Sequence, residues 1–229
     1  MQPYFLPYLG YFQLMQLADV FVVYDNIQYT KKGWINRNRI LVNGQPALFT
    51  LPLKHASSAL DIAQRELADD FPHQAERILR RFEAAYATAP FFAETLVLLR
   101  ECLRHPDRNL FRYLLHSLRL TAAHLGITTP VIVSSSLAID PALRAEDRVI
   151  AICQAIGATE YVNPPGGRDL YHQERFAPHG ITLRFLNPLI EPYQQFGAGF
   201  ISHLSVVDAL MFNAPDLVSA IIRSGRSVP

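Results

Sequence analysis

The sequence has little that would anchor a metal, a membrane or a polyanion. Only two cysteines occur among 229 residues, Cys102 and Cys153. Both lie in apolar, helix-like stretches, and no Cys/His spacing suits zinc, so two reduced, buried thiols of a cytoplasmic protein are expected. Long apolar runs are missing: none reaches the roughly 18 residues that a membrane-spanning helix needs. Net charge is almost nil, since 21 Lys+Arg against 20 Asp+Glu leave +1. Duplex DNA or an anionic membrane surface calls for a clear basic excess, so neither is an expected partner. No basic-then-apolar leader opens the chain. No internal repeat or low-complexity linker is present. The catalytic signatures that are easiest to read are also absent: no Ser-His-Asp order, no nucleophile elbow, no paired histidine ligands. His172 is an isolated candidate base.

What is present is a folding chain. Half the residues are apolar and 18% are charged, far from the composition of disorder. A chain of this length buries about 70% of its unfolded surface. Two prolines keep the opening Met1–Pro7 out of a helix, and helical spacing begins at Leu9 and runs to Ala18. Val20–Tyr24 is an unbroken apolar run and reads as a strand covered on both faces. Arg39–Thr50 reads as a hairpin turned at Asn43-Gly44, with Pro46 placing the return strand at an edge. From Pro72 to Leu125 the spacing is helical over 73–87, 90–103 and 109–124, and Gly126 ends the last helix. Strands at 131–133, 161–162 and 181–185 alternate with helices at 144–156 and 170–176, before a helical tail. The order predicts one α/β domain over 1–229, built on an open, mostly parallel, Rossmann-like sheet with a helical insert at about 70–125.

Three segments gather chemistry. In open α/β sheets ligands lie outside the carboxyl ends of strands, and Asp25 stands at such an end. The loop behind it packs Asn26, Gln28, Tyr29, Lys31, Lys32, Trp34, Asn36, Arg37, Asn38 and Arg39 into a few residues. Its cations suit phosphate or carboxylate, its amides suit a polar substrate, and its rings offer stacking faces. A solvated loop with Trp34 plugging the core is the alternative. The opening turn places Gly10 at a helix start, where backbone N–H groups can meet an anion, with Gln2, Tyr4 and Tyr11 beside it. A packed turn with its tyrosines in the core is the other reading. The third segment, Asn163-Pro164-Pro165-Gly166-Gly167-Arg168 with Tyr171, is either an anion-holding nest or plain turn chemistry. Ser134–Ser136 after a strand suit a helix cap better than a ligand, and Arg144, Glu146, Asp147 and Arg148 fit the solvated first turn of a helix better than the wall of a site.

In this order these segments resemble the WbqC-like protein family. The likeness rests on Gln2 through Phe12, Ala18-Asp19-Val20-Phe21-Val22, and Asp25 through Tyr29. Lys32-Gly33-Trp34, Asn36-Arg37-Asn38-Arg39-Ile40 and weaker C-terminal matches ending at Leu204–Asp208 complete it. The resemblance implies surface-polysaccharide (O-antigen) gene clusters and glycine or amino-acyl transfer. It also implies a short apolar strand ahead of Gln2, where this chain has Met1, so the predicted sheet lacks its first strand. A fainter likeness links the opening to nucleotidylyltransferase-like enzymes such as pantothenate synthetase. Those carry His-x-Gly-His where this chain has Tyr8-Leu9-Gly10-Tyr11, without histidine. The expectation is a transferase forming an amide or acyl link on a small polar or anionic substrate, with Asp25 as the catalytic group. Gln2, Tyr4, Gly10, Tyr11, Asn26, Gln28, Lys32, Trp34, Asn36, Arg37, Asn38, Arg39, Gly166, Gly167 and Tyr171 would bind substrate. The sequence leaves the cofactor undefined, a need for ATP or a metal included. The alternatives are a non-catalytic protein binding a nucleotide-sugar or other small ligand, and single-stranded RNA binding through Trp34 and Tyr29, against which the near-zero charge weighs.

Overall fold

The computed structural model describes residues 1–197 and 199–229. Helix α1 (Leu9–Leu17) leads into strand β1 (Phe21–Val23). The hairpin follows as β2 (Arg37–Val42) and β3 (Gln45–Thr50). It turns where expected, because Asn43 and Gly44 both take positive φ, 51° and 71°, which a tight two-residue turn requires. β3 pairs with β2 alone, so Pro46 lies on an edge strand.

The helical insert comprises α2 (Phe71–Tyr86), α3 (Phe92–Leu103) and α4 (Leu110–His124). In α2 the buried residues Phe71, Ala75, Leu79, Phe82 and Tyr86 recur at spacings of three and four, one stripe of a 3.6-residue helix. Asn109 caps α4 by accepting from the Arg112 N–H at 3.1 Å, and Gly126 ends it at φ 72°. Tyr86 is one of the insert's contacts with the tail, beside Thr95, whose hydroxyl donates to the Leu210 carbonyl at 3.0 Å. The Tyr86 phenol donates to Asp208 at 2.8 Å and accepts from the Leu41 N–H at 2.9 Å. Asp208 is fully buried and also accepts from Tyr193 at 2.9 Å and from Gln195 at 2.5 Å. It lies in α7 (Val206–Phe212), ahead of α8 (Pro215–Arg223).

The α/β half contains β4 (Val131–Val133), α5 (Ala145–Ala155), β5 (Glu160–Asn163), α6 (Gln173–Phe176), β6 (Thr182–Asn187) and a last strand, β7 (Arg226–Val228). The expected single open sheet is not formed. β1 pairs in parallel with β4, β5 pairs in parallel with β6, and β7 joins β6 antiparallel. Between these pieces, β1 and β5 face one another across a cavity of about 340 Å³, walled by α1 and α5. Val22, expected in a strand covered on both faces, is only half buried there. The edge of β1 turned toward the cavity is bonded by one residue. The Met1 amine donates to the Val22 carbonyl at 2.6 Å, and the Met1 carbonyl accepts from the Tyr24 N–H at 2.8 Å. That alternation is the parallel-ladder pattern, so Met1 occupies the position of one residue of a neighbouring strand. Enclosure lowers its amine to a pKa of about 5, because burial disfavours the charged form.

Apolar residues form two clusters. The larger joins α1, the hairpin, the helical insert and the tail; the smaller, around Val149, Cys153, Phe176 and Phe185, lies between α5 and the β5–β6 pair. Among the described residues no helix is long and apolar enough to cross a membrane.

Candidate functional site

Parallel pairing brings the carboxyl ends of β1 and β4 together, and polar groups converge there. Asp25 follows β1 and is 7% exposed. Its Oδ1 accepts from the Ser134 hydroxyl and from the Ser135 N–H, each at 3.0 Å. Both serines follow β4. The Asn26 amide lies 2.5 Å from the same Ser134 hydroxyl. The atom facing the hydroxyl is Asn26 Oδ1, so Asp25 and Asn26 are two acceptors for the one proton that Ser134 can give. The backbone is pinned as well, since the Asp25 carbonyl accepts from the Ala63 N–H at 2.9 Å. Asp25 Oδ2 has no partner among the described residues, which leaves one carboxylate oxygen free.

At the same end of the fold, the first turns of α5 supply Arg148. It is 7% exposed, its guanidinium lies 5.6 Å from the centre of the Tyr24 ring, and its Nε is buried without a partner. No carboxylate pairs with it among the described residues. A buried guanidinium without a counter-ion is costly, and such a group at a strand end suits an anionic ligand. Burial raises the Tyr24 phenol pKa, nearby Tyr171 adds to the rise, and Arg148 opposes it. Tyr171 stacks edge-on to Tyr161 at 5.7 Å. Its phenol is raised by burial. Glu146, two residues before Arg148, accepts from the His172 N–H at 2.8 Å. Asn163 ends β5, buried, with its Nδ2 unpartnered. Gly167 lies against that amide: a Cβ there would come within 2.4 Å of Nδ2. Gly166 faces open space.

The rest of the expected constellation is dispersed. Asn36 and Asn38 are buried and use their amides on the protein itself. Asn36 accepts from the Tyr29 phenol at 2.8 Å and donates to the Leu51 carbonyl at 2.7 Å. Asn38 donates to the Leu6 carbonyl at 2.7 Å and accepts from the Arg39 N–H at 2.8 Å. These two shape backbone and hold no free group toward a substrate. Arg37 donates to the Gly33 carbonyl at 2.9 Å and to that of Lys32. Arg39 donates to the His203 carbonyl at 3.2 Å. Both guanidinium groups lie over Trp34, which is 39% exposed. Lys31 and Lys32 are exposed. Gln28 donates to the Ser58 carbonyl at 2.8 Å and lines a separate cavity.

In the opening turn, Tyr11 is buried against Phe12 and Phe21 and donates to the Gln2 carbonyl at 2.9 Å. Tyr4 is half buried and its phenol reaches the Gln2 side chain at 3.5 Å. Gly10 makes room for the Tyr8 ring, which a Cβ would meet at 2.4 Å. The packed reading describes this turn. In the sequence Arg148 is one of several weaker candidates at a helix start and Asn163 one residue of a glycine-rich turn; what singles them out is burial without a partner. Among the described residues no group of three or more His, Cys, Asp or Glu side chains could hold a metal ion.

Fold and site together define a mixed α/β protein with a polar cluster around Asp25, and the buried Arg148 guanidinium beside Tyr24, at the carboxyl ends of its parallel β1–β4 pair. The WbqC-like protein family model matches residues 2–220, and the chain belongs to that family. It is 31% identical over 221 residues to the uncharacterised protein Rv1507c of Mycobacterium tuberculosis (strain ATCC 25618 / H37Rv), an alignment covering 94% of each chain. No solved structure matches it.

Proposed function

We propose that the protein is a biosynthetic transferase that joins an amine to an activated acyl group on a polar, anionic substrate, in surface-polysaccharide or specialised-metabolite synthesis. Membership of the WbqC-like family supports a biosynthetic enzyme. The observation that carries the reading is the pairing of chemistries at the strand ends: a held carboxylate with one free oxygen, Asp25, and a buried guanidinium with no counter-ion, Arg148. In the transfer, the amine nitrogen bonds to the acyl carbon, the bond to the donor's leaving group breaks, and the proton lost by nitrogen goes to Asp25. Arg148 holds the substrate's negative charge. Lys32, Arg37 and Arg39, expected from sequence in that second role, are exposed or bonded to carbonyls.

The test supplies purified protein with a glycyl thioester and amino-sugar acceptors and follows the amide by mass spectrometry. Asp25→Asn is expected to lower turnover by about a hundredfold or more, and Arg148→Ala to raise the acceptor KM. Wild-type rates in both variants would sink the assignment. A non-catalytic binding protein for a nucleotide-sugar is the second reading. It is favoured by the lack of a nucleophile, since burial pushes both thiols up to about 11. It expects saturable binding and no product.

A further inference from the structure

A second cavity, of about 690 Å³, opens between the loop at Gln28–Lys31 and the segment from Thr50 to Ser58. Its size falls within the range of small-molecule sites. Its base is Arg65, 7% exposed, with the guanidinium 4.7 Å from the centre of the Tyr29 ring. Nη1 donates to the Ala56 and Ser57 carbonyls at 3.3 and 3.1 Å, and Nη2 reaches the Lys54 carbonyl at 3.4 Å. Nε is buried without a partner. Carbonyl oxygens satisfy protons but carry no full charge, and no carboxylate pairs with Arg65 among the described residues. The group is fixed from behind. The Arg65 N–H donates to the Ile62 carbonyl at 3.1 Å, and the Arg65 carbonyl accepts from the Leu110 N–H at 2.9 Å.

The charge around this base is one-sided. Among the described residues no acid lines the cavity, whereas Lys31, Lys54, His55 and Arg65 do. Lys54 is taken up by Glu66 and Asp69, each at 2.8 Å, two acids that lie outside the cavity lining and exceed its charge by one. Lys31 and Arg65 have no such partner among the described residues, so two unbalanced positive charges face one space. A phosphate monoester carries about −1.5 to −2 at neutral pH and three strong acceptor oxygens, which balances that pair; a monocarboxylate would leave it half compensated. The remaining lining, Gln28, Thr30 and Ser58, suits the polar body of such a molecule.

We infer that this cavity binds a phosphorylated small molecule, its phosphate held between Lys31 and Arg65. The site is distinct from the strand-end crevice of Asp25 and Arg148, and it stands whether or not the protein is a transferase. Calorimetry with pyrophosphate, AMP and glucose 1-phosphate tests it, with adenosine, glucose and malonate as controls. Saturable binding of a phosphate-bearing probe is expected, without binding of adenosine or glucose. Lys31→Glu, at an exposed position, is expected to weaken it by about tenfold or more, as is Arg65→Lys, while Arg148→Ala leaves it unchanged. Three results would overturn the inference: no phosphate probe binds, malonate binds as tightly, or Arg148→Ala abolishes binding that Lys31→Glu leaves intact. The last would move the phosphate to the strand ends and would count for the transferase crevice instead.

Discussion

The Ser134 hydroxyl donates to Asp25 Oδ1 over 3.0 Å, joining two strand ends 109 residues apart in the sequence. Parallel pairing of β1 and β4 aligns the strands, and this bond, with that from the Ser135 N–H, turns alignment into a fixed carboxylate. Ser134→Ala removes a hydrogen bond to a charged group and is expected to lower stability by about 1.5–3 kcal/mol. A urea titration with an unshifted midpoint would show that the carboxylate is held without it.

The two consecutive glycines after β5 should respond differently to the same change. Gly167→Ala places a Cβ 2.4 Å from the buried Asn163 amide, whereas Gly166→Ala enters open space. The first is expected to cost about 1–3 kcal/mol as overpacking, and the second to stay within about 0.5 kcal/mol of the parent. Thermal unfolding of the pair decides; equal midpoints would contradict the packing described.

Asp208 should report on pH. Burial raises its carboxyl pKa, against the pull of the Tyr86, Tyr193 and Gln195 donors. The folded chain therefore keeps this proton where the unfolded chain has lost it. Its contribution is fully present below the ordinary carboxyl pKa of about 3.9 and is lost as pH rises toward the folded value. Asp208→Asn removes that dependence, so its deficit against the parent is expected to shrink as pH rises through the window. Asp208→Ala leaves three donors facing an apolar methyl and is expected to cost about 3–5 kcal/mol. Chemical denaturation at several pH values measures both.

The thiols give a simpler check. Cys102 and Cys153 are buried and their pKa values are pushed up to about 11. Neither is expected to react with a thiol reagent at pH 8 until the chain unfolds. One equivalent titrated in native protein would show that one of these segments opens readily, and two that both do.

Local grammar made much of the fold legible. Asn43-Gly44 marked the hairpin because few residues accept positive φ, and the spacing of Phe71 through Tyr86 marked a helix because one face is buried. β7 was not legible: Arg226–Val228 is short and half polar, and only pairing with β6 makes it a strand. Nor was the division of the sheet, which depends on what lies beside β1 rather than on β1 itself. In the site, Asp25 was readable from its place after an apolar strand. Asn36 and Asn38 looked like substrate ligands because sequence shows an amide's presence but not its partner. Arg148 ranked only among the weaker candidates and Arg65 did not stand out at all for the converse reason, as ordinary cations made unusual by enclosure.

The enclosed Met1 amine also bears on how the protein can be handled. Any residue joined ahead of it by a peptide bond starts its course between β1 and β5, inside the fold. An acetyl cap keeps the N–H that reaches Val22 and abolishes the charge, so it should protect the fold most as acidity rises toward the amine's pKa of about 5.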